Sequence, residues 1–348
     1  MRGPASVLLL LIGCLVHAQG DSSKVRFSGY LEAYYAYDLS RPENGERPYF
    51  LFNHKRHNEV GLNLGLLRAD YDHDRTRAAF ALMAGDYPQY NLAAEPELLR
   101  AVYEAWAGVR ISERRELWVD FGIMPSHLGA ESAVGADNMT LTRGLAAENS
   151  PYYEAGVRLQ YVPNERWMLS ALVLNGWQRI RRPEGYTTPA FGTQVVHTPR
   201  KGTTINWSTF VGSDTPDSVG HWRFYNDLYA SFDGPDAGLL LGVDVGLQQN
   251  GEGGLDGWIT AIGVARQRFA ERWWGVLRAE CLLDDAGVIT DELSVLGASL
   301  GVDCTVNDRT TWRIEGRLLG GPDDPFLDAD LAPSPVNTAF TTALCVKL

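Results

Sequence analysis

The feature that most constrains this chain is the way its connections alternate in length. Short polar turns recur at 72–75, 113–116, 164–166, 200–202, 234–236 and 307–309. Longer connections fall between them, at roughly 38–57, 86–99, 125–152, 175–189, 212–221, 249–255, 284–291 and 320–335. The segments they join are about nine to twelve residues long and alternate apolar with polar side chains, which is the period of a β-strand. From Val25 to Tyr37 one face reads Val25, Phe27, Gly29, Leu31, Ala33, Tyr35 and Tyr37, and the other carries Arg26 and Glu32. The pattern returns at 153–161, at 239–248, and at 312–318, where Arg313, Glu315 and Arg317 share one face. Eight long loops set against these short turns predict an all-β, transmembrane antiparallel β-barrel of about sixteen strands. Its short turns are expected in the periplasm and its long loops outside. Ambiguous register at 58–71 and 256–283 leaves fourteen to eighteen strands open.

A soluble β-sandwich alternates as well. Two features separate the cases. The polar faces mix charges with glycines, as a wet lumen requires. The apolar faces begin or end in aromatics (Tyr35, Tyr37, Tyr153, Tyr161, Trp167, Trp312 and Phe340), as expected of two interfacial girdles. Closure follows from energetics, because an open edge in lipid leaves a row of unpaired backbone groups at several kcal/mol each. The last segment fits a closing strand, with Phe340, Thr342, Leu344, Val346 and Leu348 on one face.

Mean hydropathy lies just below zero, so the chain does not read as a bundle of membrane helices. The one long apolar run, Val7 to Val16, is too short to span a bilayer as a helix. Following Met1 and Arg2 and preceding Val16-His17-Ala18, it has the layout of a secretory signal peptide. The expected organisation is a signal at 1–18 and a single barrel domain at 19–348. A lipobox reading, Leu11-Ile12-Gly13-Cys14, would instead lipidate Cys14. The remaining Cys281, Cys304 and Cys345 are odd in number and irregularly spaced, so they imply no disulfide framework. A net charge of −12 argues against a nucleic-acid partner.

Several blocks carry a family likeness. They include Ala94-Glu95-Pro96-Glu97-Leu98-Leu99-Arg100, Tyr103-Glu104-Ala105, Gly122-Ile123-Met124-Pro125-Ser126-His127, Leu141-Thr142-Arg143 and, most clearly, Ala147-Glu148-Asn149-Ser150-Pro151-Tyr152-Tyr153. Leu174-Asn175-Gly176-Trp177-Gln178-Arg179, Ile205-Asn206-Trp207-Ser208-Thr209 and Trp222-Arg223-Phe224-Tyr225 continue it. The chain resembles the OmpL-like β-barrel porins over about 27–233, and more loosely beyond. The resemblance implies a pore in the outer membrane of a Gram-negative-type bacterium, and it names no solute.

Enzyme-like motifs fare less well. Gly297-Ala298-Ser299-Leu300-Gly301 matches a nucleophile elbow, but it sits inside an alternating segment. No histidine follows His221 to complete a triad. Asp70-Tyr71-Asp72-His73-Asp74 starts like a calcium loop, yet Arg75 holds the sixth position and Ala81 the twelfth. His54 and His57 flank Lys55 and Arg56, which favours a solvated loop over a metal site. Arg179, Arg181 and Arg182 beside Trp177 suit a solvated loop end, or else an anionic headgroup or solute. No cofactor is implied.

The connection at 125–152 is longer than a hairpin needs, and long ordered loops are usually functional. It carries Glu131, Asp137, Arg143 and Glu148, while nearby lumen faces offer Arg110, Asp120, Glu154 and Arg158. The expectation is a constriction at which loop carboxylates face wall arginines and filter solutes by charge and size. The expected function is passive diffusion of small hydrophilic solutes, with no enzyme activity. The alternative is a surface receptor or adhesin that binds through its loops. Expected partners are outer-membrane lipid and the solutes themselves, with a homotrimer as the assembly.

Overall fold

A computed structural model describes residues 24–348; the expected signal segment, with Cys14, lies outside the described residues. Sixteen antiparallel strands close into one barrel: β1 (Val25–Asp38), β2 (Val60–His73), β3 (Thr76–Ala84), β4 (Val102–Arg110), β5 (Glu116–Pro125), β6 (Tyr153–Asn164), β7 (Trp167–Leu174) and β8 (Ala190–Arg200) form the first half. The second half is β9 (Thr203–Ser213), β10 (Trp222–Asp233), β11 (Ala237–Gln249), β12 (Leu255–Ala270), β13 (Trp273–Leu283), β14 (Ser294–Asn307), β15 (Thr310–Gly320) and β18 (Val336–Lys347). The two-residue strands β16 (Phe326–Leu327) and β17 (Pro333–Ser334) pair as a small ribbon within the last long loop. Each barrel strand pairs with its sequence neighbour, and β1 meets β18 from Tyr30↔Lys347 to Asp38↔Ala339. Closure satisfies the backbone groups that a lipid-facing edge would leave bare.

The stretches of ambiguous register resolve as β2, β12 and β13, the last two joined by the tight turn at Glu271-Arg272. Alternation sets the faces as the period of two demands. In β14, Leu296 and Leu300 point out, whereas Ser299 and Asp303 point in. In β18, Phe340 and Leu344 face outward while Thr341, Ala343 and Cys345 are buried inside. The supposed elbow serine is thus an inward residue in mid-strand, opposite Arg278 and Arg317. Gly297 is small for a reason: a Cβ there would fall 2.7 Å from Glu280 Cγ.

Two aspects depart from the sequence-based picture. Tyr153, expected in an outer aromatic girdle, is buried at the rim, with its hydroxyl donating to Glu95 Oε1 at 3.3 Å. The loop after β2–β3 covers it, since Tyr87 and Leu92 join the same cluster. His54, expected in a solvated loop, is fully buried, because the loop after β1 folds inward and sets its ring against Glu32.

Candidate functional site

The loop joining β5 to β6, residues 126–152, runs through the barrel interior. Its small residues let it lie close to the wall: a Cβ on Gly135 would fall 2.3 Å from Glu32 Oε2, and one on Gly144 2.6 Å from Ile262 Cδ1. It is pinned first at His127, whose Nδ1 lies 2.8 Å from Glu154 Oε2 and whose Nε2 lies 2.8 Å from the Thr209 carbonyl. Both ring nitrogens thus face acceptors, which suits the imidazolium. Burial pulls the His127 pKa down, but Glu154 and the two hydrogen bonds outweigh it and the net shift is upward.

Midway along the loop, Arg143 has no exposed surface. It donates to the carbonyls of Ser132 (3.1 Å), Ala133 (2.5 Å) and Leu141 (2.8 Å), and its Nη2 lies 3.5 Å from Glu32 Oε2. Glu32 also accepts from Tyr30 (2.6 Å) and Asn63 (3.2 Å), with His54 Nε2 at 2.5 Å. The neighbouring arc of wall, β13 and β15, holds the next part of the loop. Glu315 accepts from the Thr142 amide (2.9 Å) and hydroxyl (2.6 Å), and Glu280 accepts from the Leu145 amide (2.7 Å). Arg278 donates to the Thr142 carbonyl (2.6 Å), and Arg313 donates to those of Gly135 and Met139 (2.8 Å each). β1 and β9 stand eight strands apart in a ring of sixteen. A loop bonded to Thr209 on β9 and Glu32 on β1 therefore crosses the lumen.

The β2–β6 wall is different, wetter and lined by paired charges. Arg68 meets Glu104 (2.5 Å) and Asp70 (2.8 Å), and Arg110 meets Glu116 (2.7 Å). Asp120 receives both Arg77 (2.7 Å) and Arg158 (3.0 Å). Trp106 and Trp118 lie among them, with Arg77 4.4 Å from the Trp118 ring centroid. Their inward direction follows from the register, because Leu67, Phe80, Val109 and Phe121 on the same strands are exposed on the outer face.

The comparisons bear on what such a barrel is. The family described as "Putative beta-barrel porin-2, OmpL-like" matches residues 24–348. This chain belongs to that family. It is an outer-membrane porin. Its fold is similar to the anion-selective porin from Comamonas acidovorans (TM-score 0.65, 12% identity, 93% of this chain and 99% of that one). It is also similar to Salmonella typhi OmpF in complex with daunomycin (0.62, 8%, 93% and 97%). A third is the trimer form of in-vitro folded OmpT of Vibrio cholerae (0.58, 11%, 93% and 99%). No curated protein matches the sequence.

The porin distributes the sequence-picked residues over two places. Arg110, Asp120 and Arg158 share the wet β4–β6 wall, and Glu131, Asp137, Arg143 and Glu148 ride on the loop. Glu154, on the strand after it, anchors His127. The expected pairing of loop carboxylates with Arg110 and Arg158 does not occur, because Arg110 binds Glu116 and Arg158 binds Asp120. Glu131 instead caps the Gly144 amide (2.7 Å), and Glu148 takes the Phe52 amide (2.8 Å) and Asn53. Burial raises the pKa of both. Asp137 reaches the half-exposed Lys347 at 2.7 Å. The dominant wall partners, Glu32, Arg278, Glu280, Arg313 and Glu315, all lie on polar faces of alternating strands. No local pattern marks which strands an inserted loop will meet.

Proposed function

We propose that this porin passes small hydrophilic solutes passively, and that loop 126–152 sets what gets through. The observation that carries this reading is the loop's double attachment, to β9 through His127 and to β1 through Arg143, which sets it across the path of a solute. The partly exposed arginines of β2–β6, with Asp70 and Glu116 beside them, mark the watery side along which a hydrated solute travels. Filtering is by size and by the fixed charges along that path, with no covalent chemistry and so no enzyme activity. Planar-bilayer recordings test this directly. The full chain should give small steady conductance steps, and deletion of residues 131–146 should enlarge them severalfold. An unchanged step size after deletion would remove the loop from the filter, and a silent full-length barrel would point to a loop-borne surface receptor instead.

The same reading places the chain in the outer membrane of a Gram-negative-type bacterium after export by the segment 1–18, with lipid against its apolar belt. A homotrimer is proposed by analogy with the trimer form of OmpT. Sedimentation of the detergent-solubilised protein distinguishes one, two and three copies.

A further inference from the structure

A cavity of about 460 Å³ opens among the extracellular loops, between the loop after β1 and the loop before β18. Much of its wall is apolar, supplied by Tyr49, Phe50, Phe326, Leu327 and Leu331. The Phe50 and Phe326 rings pack at 6.3 Å between centroids, which joins the two loops. Two cations, Arg47 and Lys55, also line it. Arg47 is 3% exposed, its Nη1 donates to the His54 carbonyl at 3.2 Å, and its Nε has no hydrogen-bond partner. Among the described residues no carboxylate forms a salt bridge with it. Every other fully interior arginine on this path has one: Arg143 with Glu32, Arg278 with Glu315, Arg313 with Asp303 and Arg317 with Glu280. A buried guanidinium with no carboxylate in direct contact is costly, even with the Asp38 charge nearby, so one that lines a cavity is a candidate anion seat. Burial lowers the pKa of Arg47, with the Asp38 charge opposing the shift and Arg317 adding to it.

The acceptors around the cavity are already engaged or facing solvent. Asp38 takes Asn337 and the Ser40 amide, Glu46 takes Arg56 and Tyr90, and Asp328 takes the amides of Asp330 and Ala332. Glu43 is exposed. Lys55 spends one donor on the Pro48 carbonyl at 2.8 Å and has two left. On the buried side of the cavity the unspent polar groups are therefore donors, and the surface around them is largely apolar.

We propose that this cavity binds a small organic monoanion, its carboxylate seated by Arg47 and Lys55 and its apolar body against Phe50, Phe326 and Leu331. The volume falls in the range of small-molecule sites, and a few polar groups within apolar walls are their usual chemistry. The site lies between the loop after β1 and the loop before β18; the loop that crosses the lumen lines none of it but touches its floor, where Asn149 donates to the Phe50 carbonyl, and the site would hold a solute at the mouth.

The test is calorimetric titration of the full-length protein in lipid nanodiscs with phenylacetate, phenylacetamide and inorganic phosphate. Phenylacetate should saturate, with the amide and phosphate at least tenfold weaker. Arg47→Met should weaken phenylacetate at least tenfold, and Arg47→Lys less. Leu331→Asp, at an exposed loop position, should weaken it comparably, so the proposal stays testable if the Arg47 variant misfolds. Burial brings Lys55 down to about 8, with Glu46 and Glu148 opposing and Arg47 adding to the shift. The Tyr90 ring lies 5.7 Å from its Nζ. Affinity should therefore fall between pH 7 and pH 9 as Lys55 deprotonates, and Lys55→Met should flatten that profile. Equal binding of acid and amide, or of wild type and Leu331→Asp, overturns the proposal, as does the absence of saturable phenylacetate binding. Binding is read without current, so its failure leaves the pore reading intact, and a silent barrel would leave this site intact.

Discussion

Arg143 ties three loop carbonyls to a wall carboxylate with no exposed surface of its own, so its removal does two kinds of damage. The loop loses the donors that fold it back on itself, and Glu32 keeps its charge in a dry place with only His54, Tyr30 and Asn63 beside it. Breaking a buried pair from one side costs about 3–5 kcal/mol. Arg143→Met should lower the barrel's stability in denaturant titrations by that order and open 126–152 to protease. An unaltered digestion pattern would mean that the loop is held elsewhere. By contrast, Asp137→Asn, which removes the half-exposed pair with Lys347, should change stability by less than about 1 kcal/mol. His127 adds a pH dependence of known sign. Its folded-state pKa is raised, so its contribution is complete below the unfolded value of about 6.5 and fades as pH rises through the folded value. The unfolding midpoint in urea should fall from pH 6 to pH 8 more steeply in wild type than in His127→Gln. Parallel slopes would show that the imidazolium is not what Glu154 holds.

At the level of strands, function depends on the two faces being kept apart. Leu300 stands 63% exposed in mid-strand on β14, and its neighbour Ser299 is 7% exposed on the inner face. An arginine facing lipid near the bilayer centre costs about 2–4 kcal/mol, whereas the same charge in the lumen can find partners or water. Leu300→Arg should therefore cut folding into vesicles, measured by heat-modifiable gel mobility, while Ser299→Ala should not. The strands were legible from alternation because the period of two is a local property. Tyr153 was not, since its position in the pattern is outward and only the loop lying over it makes it a buried side chain. His54 failed for the same reason in the other direction. Its neighbours Lys55 and Arg56 suggested solvent, but Lys55 is itself buried with it and only Arg56 stays partly exposed.

For the molecule as a whole, the balance of charge along the wet wall predicts weak ion selectivity. Arg68, Arg77, Arg110 and Arg158 are offset by Asp70, Glu104, Glu116 and Asp120. The reversal potential in a salt gradient should lie close to zero, despite a net charge of −12 that resides largely in loops. A strong cation or anion preference would place the filter at another set of residues. The sequence by itself determined the closed barrel, a strand number near sixteen, the split between turns and loops, and the polar face on which Glu32, Arg313, Glu315 and Arg317 lie. Each of these follows from a period of two and from turn chemistry within a few residues. Only the tertiary structure decided that two loops fold into the lumen, which strands they meet, and that Arg47 is left buried beside a cavity without a salt-bridge partner. Those outcomes rest on contacts between residues 100 or more positions apart, such as Arg143 with Glu32 and Thr142 with Glu315, and no local pattern encodes which wall a loop reaches.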